Sequence, residues 1–449
     1  MAKRTKKEAA LTLEEKLQQA LVPVEEQPHP VPANWCWTYL TKGCVECKDS
    51  FRKPINATER ANRMGEIPYY GATGQVGWID DFLTEEELVL LGEDGAPFLD
   101  LLKDKAYLIS GKAWVNNHAH ILKSFYGHFG NLYILHYLNV FNFTGYVNGT
   151  TRLKLTQTSM DIIPVPLPPL PEQQRIVARI ESLFAKLDEV KEKAQAVVDG
   201  YEDRKAAILH KAFTGELTAK WRKEQGVNSN QWPNRKLKDC GEWMGGGTPS
   251  MSHPEYWENG NILWITSKDM KSDVIENTIM HVNPLGVSNS SANYNEKPSL
   301  LFVMRSGILK RTLPISMVYI PFTVNQDLKA VSPNDINLEY LFWACKNYEK
   351  QILNTCMKNG TTVESINAAS LMAFEVPIAS KDEQKVIVST INAILKKETQ
   401  VKDAAESVLD QIDTMKKSIL ARAFRGELET NDPSDEPAIE LLKRVLQEE

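Results

Sequence analysis

The chain repeats a large part of itself at a constant shift of 211 residues. Residues 172–217 return as residues 383–428 without a gap, and 19 of the 46 aligned positions are identical. The same shift carries Asn148-Gly149-Thr150-Thr151 onto Asn359-Gly360-Thr361-Thr362, and Val165-Pro166 onto Val376-Pro377. Identity at this level exceeds chance for unrelated helices, so the chain contains two versions of one module.

Composition is that of a globular chain with several domains. Its 449 residues suffice for two to four domains, with 42% hydrophobic and 24% charged residues. No apolar run approaches the roughly 18 residues that span a bilayer, and no apolar segment of a secretory signal follows the basic residues 1–7. Six dispersed cysteines do not form a disulfide framework, so we expect a cytoplasmic protein. A net charge of −6 counts against autonomous DNA binding, although a local basic face or a partner can supply phosphate contacts.

The repeated segments alternate with two strand-rich variable segments. Residues 11–21 are predicted to form a short helix, and Thr12 and Glu15 at its start have capping-box spacing. We therefore divide the chain into a basic tail, short helix and linker (1–33), a first variable domain (34–165), a first helical repeat (166–231), a second variable domain (232–375), a second helical repeat (376–430) and a tail helix (431–449). This tail helix is expected to pack on the helix at residues 11–21.

The two variable domains share short matching segments in the same order. Trp35 and Leu40 match Trp232 and Leu237, and the strand-like segments starting at Ile67 and Ile262 correspond. Leu90 to Gly95 aligns with Phe302 to Gly307, which places Glu93 opposite Arg305, and Val115-Asn116 aligns with Val324-Asn325. Opposite charge at an aligned position predicts two domains with different binding specificities on one scaffold.

Both helical repeats carry apolar residues at alternating spacings of four and three, which predicts a helix-pair seam. The seam residues are Ile176, Ile180, Leu183, Leu187, Val190 and Val197 in the first copy, and Ile387, Ile391, Ile394, Val401, Val408, Ile412 and Ile419 in the second. Each helix of about 42 residues would be about 60 Å long. We expect the copies to pair antiparallel within the chain; a hairpin inside one domain and a homodimeric coiled coil are the alternatives.

Several motifs are distributed along the chain: Pro169-Leu-Pro-Glu-Gln-Gln-Arg175, Ala212-Phe-Thr-Gly-Glu-Leu217 with Ala423-Phe-Arg-Gly-Glu-Leu428, Gly246-Gly-Thr-Pro-Ser250 with Tyr256-Trp257, Ile67-Pro-Tyr-Tyr-Gly-Ala-Thr-Gly74, and Ile109-Ser-Gly-Lys-Ala-Trp-Val-Asn-Asn-His118. Together they resemble the specificity subunit of type I restriction–modification systems, over nearly the whole chain. The resemblance implies an α+β fold with two globular strand-rich target recognition domains, joined by two long antiparallel coiled-coil helices in an internal pseudo-twofold repeat.

The same resemblance implies a non-catalytic subunit that reads a bipartite, asymmetric DNA target, one half per domain. The helices would set the spacer between the halves and dock two modification methyltransferase subunits, which carry S-adenosylmethionine and methylate adenine N6. Restriction subunits that use ATP and Mg would join that complex. No cofactor is expected in this chain.

Residue types agree with the absence of catalysis and metal. The sequence carries no amino-methyltransferase motif and no phosphate-binding loop. Cys44 and Cys47 have zinc spacing near Cys36, but a second closing pair is missing, so we interpret them as ordinary thiols. For His118 and His120, a DNA contact or an internal hydrogen bond is favoured over a metal.

Candidate DNA contacts are side chains that can reach base edges or phosphates. For bases these are Tyr69, Tyr70, Lys112, Asn116, Asn117 and His118 in the first domain, and Thr248, Ser250, Lys268, Arg305, Lys310, Arg311, Asn325 and Gln326 in the second. For phosphates they are Arg52, Lys53, Arg152, Lys154 and Lys358. Two alternatives to DNA recognition remain: a self-contained enzyme, which the missing motifs disfavour, and a coiled-coil scaffold without DNA readout.

Overall fold

The computed structural model describes residues 11–227, 232–358 and 363–448. The second copy of the repeated Asn-Gly-Thr-Thr segment, 359–362, and the basic residues 1–7 lie outside the described residues. Two compact units are present: unit 1 comprises Met1–Gln195 with Glu406–Glu449, and unit 2 comprises Ala196–Ala405. Every described helix is too short or too polar to cross a membrane.

The described helices range from one turn to about twelve turns. They are α1 (Leu13–Ala20), α2 (Ala57–Ala61), α3 (Gly127–Val140), α4 (Gln157–Asp161), α5 (Leu170–Asp199), α6 (Tyr201–Phe213), α7 (Ala219–Glu224), α8 (Pro284–Ser288), α9 (Leu338–Asn347), α10 (Glu349–Cys356), α11 (Ala368–Ala373), α12 (Lys381–Ala423) and α13 (Ala438–Glu448). The predicted capping box of α1 is confirmed, because Thr12 and Glu15 bond reciprocally.

The first long repeat is two helices rather than the single helix that we predicted. α5 ends at Asp199 and α6 begins at Tyr201, with Gly200 between them. Glycine loses more backbone entropy in a helix than other residues do. In addition, Arg204 Nη2 donates to the Val197 carbonyl oxygen at 2.9 Å. Gln411 occupies the corresponding position in the second copy, and α12 passes through it without a break.

In each unit, α12 runs antiparallel to a helix of the first repeat. In unit 1, Ile176 and Ile180 are fully buried in a cluster with Leu420 and Phe424, and Lys416 Nζ lies 2.6 Å from Asp188 Oδ1. In unit 2, Ile387 and Ile391 are fully buried in the cluster that contains Leu209 and Phe213. Arg204 Nε donates to Glu398 Oε2 at 2.7 Å.

The predicted seam is buried over only part of its length. Ile176, Ile180, Ile387, Ile391 and Ile412 are buried, and Leu183, Leu187, Val197, Ile394, Val408 and Ile419 are half-buried. Two predicted seam residues are wrong, since Val190 and Val401 are 44% and 52% exposed. The residues three and four positions away, which adjoin a residue on the helix surface, include Lys186 and Lys193 around Val190, and Lys397 and Glu398 around Val401.

Unit 1 is built on two four-stranded sheets and helix α3. Its strands are β1 (Cys36–Tyr39), β2 (Val45–Cys47), β3 (Ile67–Gly71), β4 (Gly74–Ile79), β5 (Thr84–Glu85), β6 (Leu88–Gly92), β7 (Ala106–Ile109), β8 (Lys112–Val115), β9 (Ala119–Ser124), β10 (Val147–Asn148), β11 (Lys154–Leu155) and β12 (Pro164–Leu167). The sheet orders are β2-β9-β6-β7 and β4-β3-β8-β5, and the pairs β1-β12 and β10-β11 stand apart. The predicted packing of the tail helix is confirmed, because α13 contacts α1 and Lys16 Nζ donates to the Leu446 carbonyl at 2.9 Å.

Unit 2 has a five-stranded and a three-stranded sheet. Its strands are β13 (Asn234–Lys236), β14 (Gly241–Gly245), β15 (Ile262–Ile265), β16 (Val274–Ile275), β17 (His281–Val282), β18 (Ser299–Val303), β19 (Ile315–Val318), β20 (Phe322–Val324), β21 (Leu328–Pro333) and β22 (Glu375–Pro377). The orders are β14-β21-β18-β19-β16 and β17-β15-β20, with β13-β22 as a separate pair. β18 is buried at all five positions and forms the centre of the core.

The units repeat the same strand connections, which confirms the predicted duplication of an α+β scaffold. β3 runs parallel to β8 with Tyr70 opposite Val115, and β15 runs parallel to β20 with Ile265 opposite Val324. The next backbone amide bonds identically in both: Asn116 N donates to Tyr70 O at 3.1 Å, and Asn325 N donates to Ile265 O at 3.0 Å.

Candidate nucleic-acid interface

In unit 1 the candidate cations gather around two carboxylates at the end of β6. Glu93 is paired with Arg52, and its Oε1 lies 2.9 Å from Lys154 Nζ. Asp94 Oδ1 accepts from Arg152 Nη2 at 2.6 Å. Burial alone would raise the pKa of Glu93, but the hydrogen bonds from Lys154 and Arg52 outweigh it and lower that pKa. Three of the four predicted phosphate ligands of this unit, Arg52, Arg152 and Lys154, are therefore already paired with acidic side chains of the same chain.

His118 and His120 have different surroundings. The Nδ1 of His118 lies 2.8 Å from Asp94 Oδ1 but off the direction of a hydrogen bond, so this contact is an ion pair only when the imidazole is protonated. His120 is buried, with Nδ1 2.7 Å from Asp49 Oδ2 and Nε2 3.0 Å from the Leu155 carbonyl. Both nitrogens of His120 therefore lie within hydrogen-bonding distance of oxygen atoms of the same unit.

A potential metal-ligand cluster formed by Cys47, Asp49 and His120 does not fit a cation. Their ligand atoms lie within 4.8 Å of one another. Asp49 Oδ1 already accepts from Ile121 N at 2.9 Å, and its Oδ2 lies 2.8 Å from the Arg52 guanidinium. Burial also raises the pKa of the Cys47 thiol to about 12, whereas a metal binds the thiolate. The cluster is an internal ion-pair network.

Burial of the thiols also disfavours zinc binding by Cys44 and Cys47. Burial raises the pKa of Cys36 to about 12 and that of Cys44 well above its ordinary value. Structural zinc needs deprotonated cysteine ligands, so these environments favour neutral thiols.

Three predicted base contacts are buried and take part in hydrogen bonds within the chain. Tyr69 is 2% exposed and its hydroxyl accepts from Ile55 N at 3.3 Å. Asn116 and Asn325, 7% and 8% exposed, accept from the backbone amides of His118 and Asp327 respectively, at 2.8 and 3.1 Å. The side-chain oxygens of these asparagines shape the turns that follow β8 and β20.

The other unit 1 candidates lie at the surface. Lys53, Lys112 and Asn117 are exposed, and Tyr70 is half-buried against Tyr107, with ring centroids 5.9 Å apart. Lys53 lies over the Trp114 ring and Lys112 over the Phe82 ring, at 5.9 and 4.7 Å. Such packing leaves the ammonium groups accessible while it restrains their stems.

In unit 2 three of the candidates share one open cleft of about 750 Å³. Arg305, Gln326 and Lys358 line it, together with Lys329 and Asp327, which the sequence analysis missed. Gln326 Oε1 accepts from Thr248 Oγ1 at 2.6 Å, which brings a fourth candidate to the cleft. The position of Asp327, two residues after the matched Val324-Asn325 segment, is the sequence signal that could have revealed it.

Close backbone approach forms one wall of this cleft. A Cβ at Gly246 would lie 1.7 Å from the Val324 carbonyl oxygen, so only glycine fits there. The Gly-Gly-Thr-Pro motif therefore allows the segment after β14 to pass directly over the end of β20.

The remaining unit 2 candidates lie elsewhere. Lys310 pairs with Glu364 at 3.2 Å, and Ser250 Oγ lies 2.6 Å from Ser252 Oγ. Arg311 lines a separate cavity of about 410 Å³ beside α6, and Lys268 lines a shallow pocket of about 280 Å³. These four residues do not join the cleft around Arg305.

The backbone corrects our alignment of the two units by one residue. Glu93 N donates to the His118 carbonyl at 2.8 Å, as Met304 N does to the Asp327 carbonyl at 2.7 Å. The next residue in each unit forms an isolated antiparallel β-bridge through its backbone, Asp94 with Lys154 and Arg305 with Ser365. Arg305 thus corresponds to Asp94 rather than Glu93, and Asp327 corresponds to His118.

The duplicated scaffold and its polar surfaces define a class of protein that presents two variants of one binding module. The family model described as "Type I restriction modification DNA specificity domain" matches residues 47–198 and again 229–407. These matches cover more than half of the chain, so the chain belongs to this family, as the motifs predicted.

Relatives and a solved structure agree with that assignment. The chain is 28% identical over 296 residues to the EcoR124I/EcoR124II specificity subunit of Escherichia coli, which is 64% of each chain, so it spans less than two thirds of that relative. It is 30% identical over 174 residues to the MjaIX specificity subunit of Methanocaldococcus jannaschii, covering 37% of this chain and 38% of that one. The fold resembles the crystal structure of the HsdS subunit from Thermoanaerobacter tengcongensis, with a TM-score of 0.61 and 16% identity over 90% of this chain and all of the other.

Proposed function

We propose that this chain is the non-catalytic DNA-recognition subunit of a type I restriction–modification complex, and that each unit reads one half of a bipartite, asymmetric target in double-stranded DNA. One observation carries the proposal. The units repeat one backbone scaffold, yet at the corresponding position unit 1 has Asp94 and unit 2 has Arg305. A common frame with different side chains suits two readers of different sequences.

The partners follow from the repeat. Two copies of one helical sequence would present two equivalent surfaces, which suits two copies of one partner. We assign that place to modification methyltransferase subunits, which would supply S-adenosylmethionine and methylate adenine N6. Restriction subunits would bring ATP and Mg. In this proposal the long helices fix the spacer between the half-sites.

Electrostatics favour recognition within a complex. The chain has a net charge of −6, and in unit 1 Arg52, Arg152 and Lys154 are paired with its own carboxylates. Phosphate contacts supply much of protein–DNA affinity, so a methyltransferase partner would contribute a large share of them. The same acidic balance is what favours the alternative, a coiled-coil scaffold without DNA readout.

Selection from a random pool of duplexes tests the proposal. The purified complex of this chain with its methyltransferase should enrich two short conserved blocks of different sequence, separated by an unread gap of constant length. The methyltransferase alone is the control and should enrich no such sequence. Enrichment of one block, of a palindrome, or of nothing by the complex would contradict the proposal, and the last result would support the scaffold.

A further inference from the structure

At two neighbouring positions of the same backbone frame, the two units carry an acidic and a basic residue in opposite order. In unit 1, Asp94 follows β6 and faces His118, which lies in the turn between β8 and β9. In unit 2, the corresponding residues are Arg305 after β18 and Asp327 in the turn between β20 and β21. Acid and base have therefore changed places at both positions at once, while the backbone bonds around them are the same.

A position that is acidic in one unit and basic in the other cannot contact phosphate in both units. Phosphates carry the same negative charge at every sequence, so a position that contacts phosphate in both units would be basic in both. Base edges, in contrast, present either acceptors or donors. Arginine donates two hydrogen bonds to guanine O6 and N7, and a carboxylate accepts from the cytosine N4 amine. We propose, on the basis of the proposed function, that Arg305 reads guanine in one half-site and Asp94 reads the amino group of cytosine in the other.

The surroundings of both residues agree with these roles. Arg305 is exposed in the 750 Å³ cleft, where Gln326 offers an amide beside it. Within the described part of the chain, Arg305 forms no ion pair. The contacts of Asp94 with Arg152 and His118 both fall on Oδ1, so its Oδ2 is the oxygen that can accept from a base, while Arg152, 59% exposed, can turn toward phosphate.

Binding of the complex to a panel of duplexes tests this assignment. Each base pair of the sequence enriched by the wild-type complex is replaced in turn. A bidentate base contact discriminates by about 5- to 140-fold. Arg305→Gln should therefore remove discrimination of that size at one G·C pair of one half-site and leave the other half-site unchanged. Asp94→Asn should relax one pair of the other half-site.

Two further variants make the result decisive. Arg305→Lys keeps the charge but loses the planar guanidinium, so it should retain overall affinity and discriminate less than wild type at the same pair. Arg235→Gln removes an arginine of the same unit that is paired with Asp335 at 2.7 Å on the surface, and it should change nothing on the panel.

The outcomes separate this inference from the proposed function. Equal weakening on all duplexes by the Arg305 variants would assign a phosphate contact and overturn the inference, as would an unchanged panel. In both cases a split target of the wild-type complex would leave the proposed function standing. If the wild-type complex selects no split sequence, both fail.

Discussion

Removal of the Arg222 guanidinium is expected to destabilise unit 2 by about 3 kcal/mol. Arg222 is 5% exposed and Glu383, at the start of α12, is 2% exposed. Arg222 Nη1 donates to Glu383 Oε1 at 3.1 Å, and Thr218 and Trp232 donate to the same carboxylate at 2.7 and 3.0 Å. Arg222→Ala therefore leaves a buried carboxylate without its cation.

The magnitude follows from what remains. Loss of one partner of a buried ion pair costs about 3–5 kcal/mol. The hydrogen bonds from Thr218 and Trp232 persist, so the lower end applies. For a unit of this size the loss corresponds to a decrease in Tm of about 6–12 °C.

Urea and thermal unfolding of the full chain measure this effect. Lys385→Ala, on the same helix, is the control because Lys385 pairs with the exposed Asp382 at the surface, and its unfolding curve should match the wild type. Addition of Glu383→Gln to Arg222→Ala should restore part of the stability, since the amide carries no charge. A loss below about 1 kcal/mol for Arg222→Ala would refute the reasoning.

Four further substitutions test the packing of unit 2 and the ionisation of unit 1. Ile391→Ala should cost about 2–5 kcal/mol, whereas Val401→Ala should cost less than about 0.5 kcal/mol; chemical denaturation of both variants compares a buried seam residue with an exposed one. Lys105 is 1% exposed, and burial lowers its pKa to about 8. Because the folded state loses this proton at a lower pH than the unfolded state, the stability of wild type relative to Lys105→Met should rise between pH 8 and 10.5. Burial alone would raise the pKa of Asp49, but hydrogen bonds and neighbouring cations outweigh burial and hold that pKa below 3.8. In urea unfolding, the stability advantage of wild type over Asp49→Asn should therefore be constant above that pH and decline as the pH falls below it.

The duplicated sequence was sufficient to predict the paired helices and the common frame. The matched Trp35 and Trp232 show why: each indole donates to a buried glutamate at the start of a long helix, Glu172 at 2.7 Å and Glu383 at 3.0 Å. Because both partners of this contact recur at both copies, the repeat preserves a tertiary interaction and not only a helical pattern.

Side-chain partners distant in sequence could not be predicted in this way. Arg52 pairs with Glu93, 41 residues away, and no periodicity reports such a contact. Gly200 interrupts one helix although the heptad pattern continues past it. The burial of Tyr69 depends on which face of a sheet is covered, and strand alternation alone leaves that face undetermined.

Sequencing of N6-methyladenine in host DNA tests the central claim most directly. Cells that express this chain with its methyltransferase should gain a split, asymmetric methylated motif, and cells with the methyltransferase alone should lack it. Full methylation at the same motif without this chain would place specificity in the partner. Absence of any new motif despite a stable complex would contradict the recognition role.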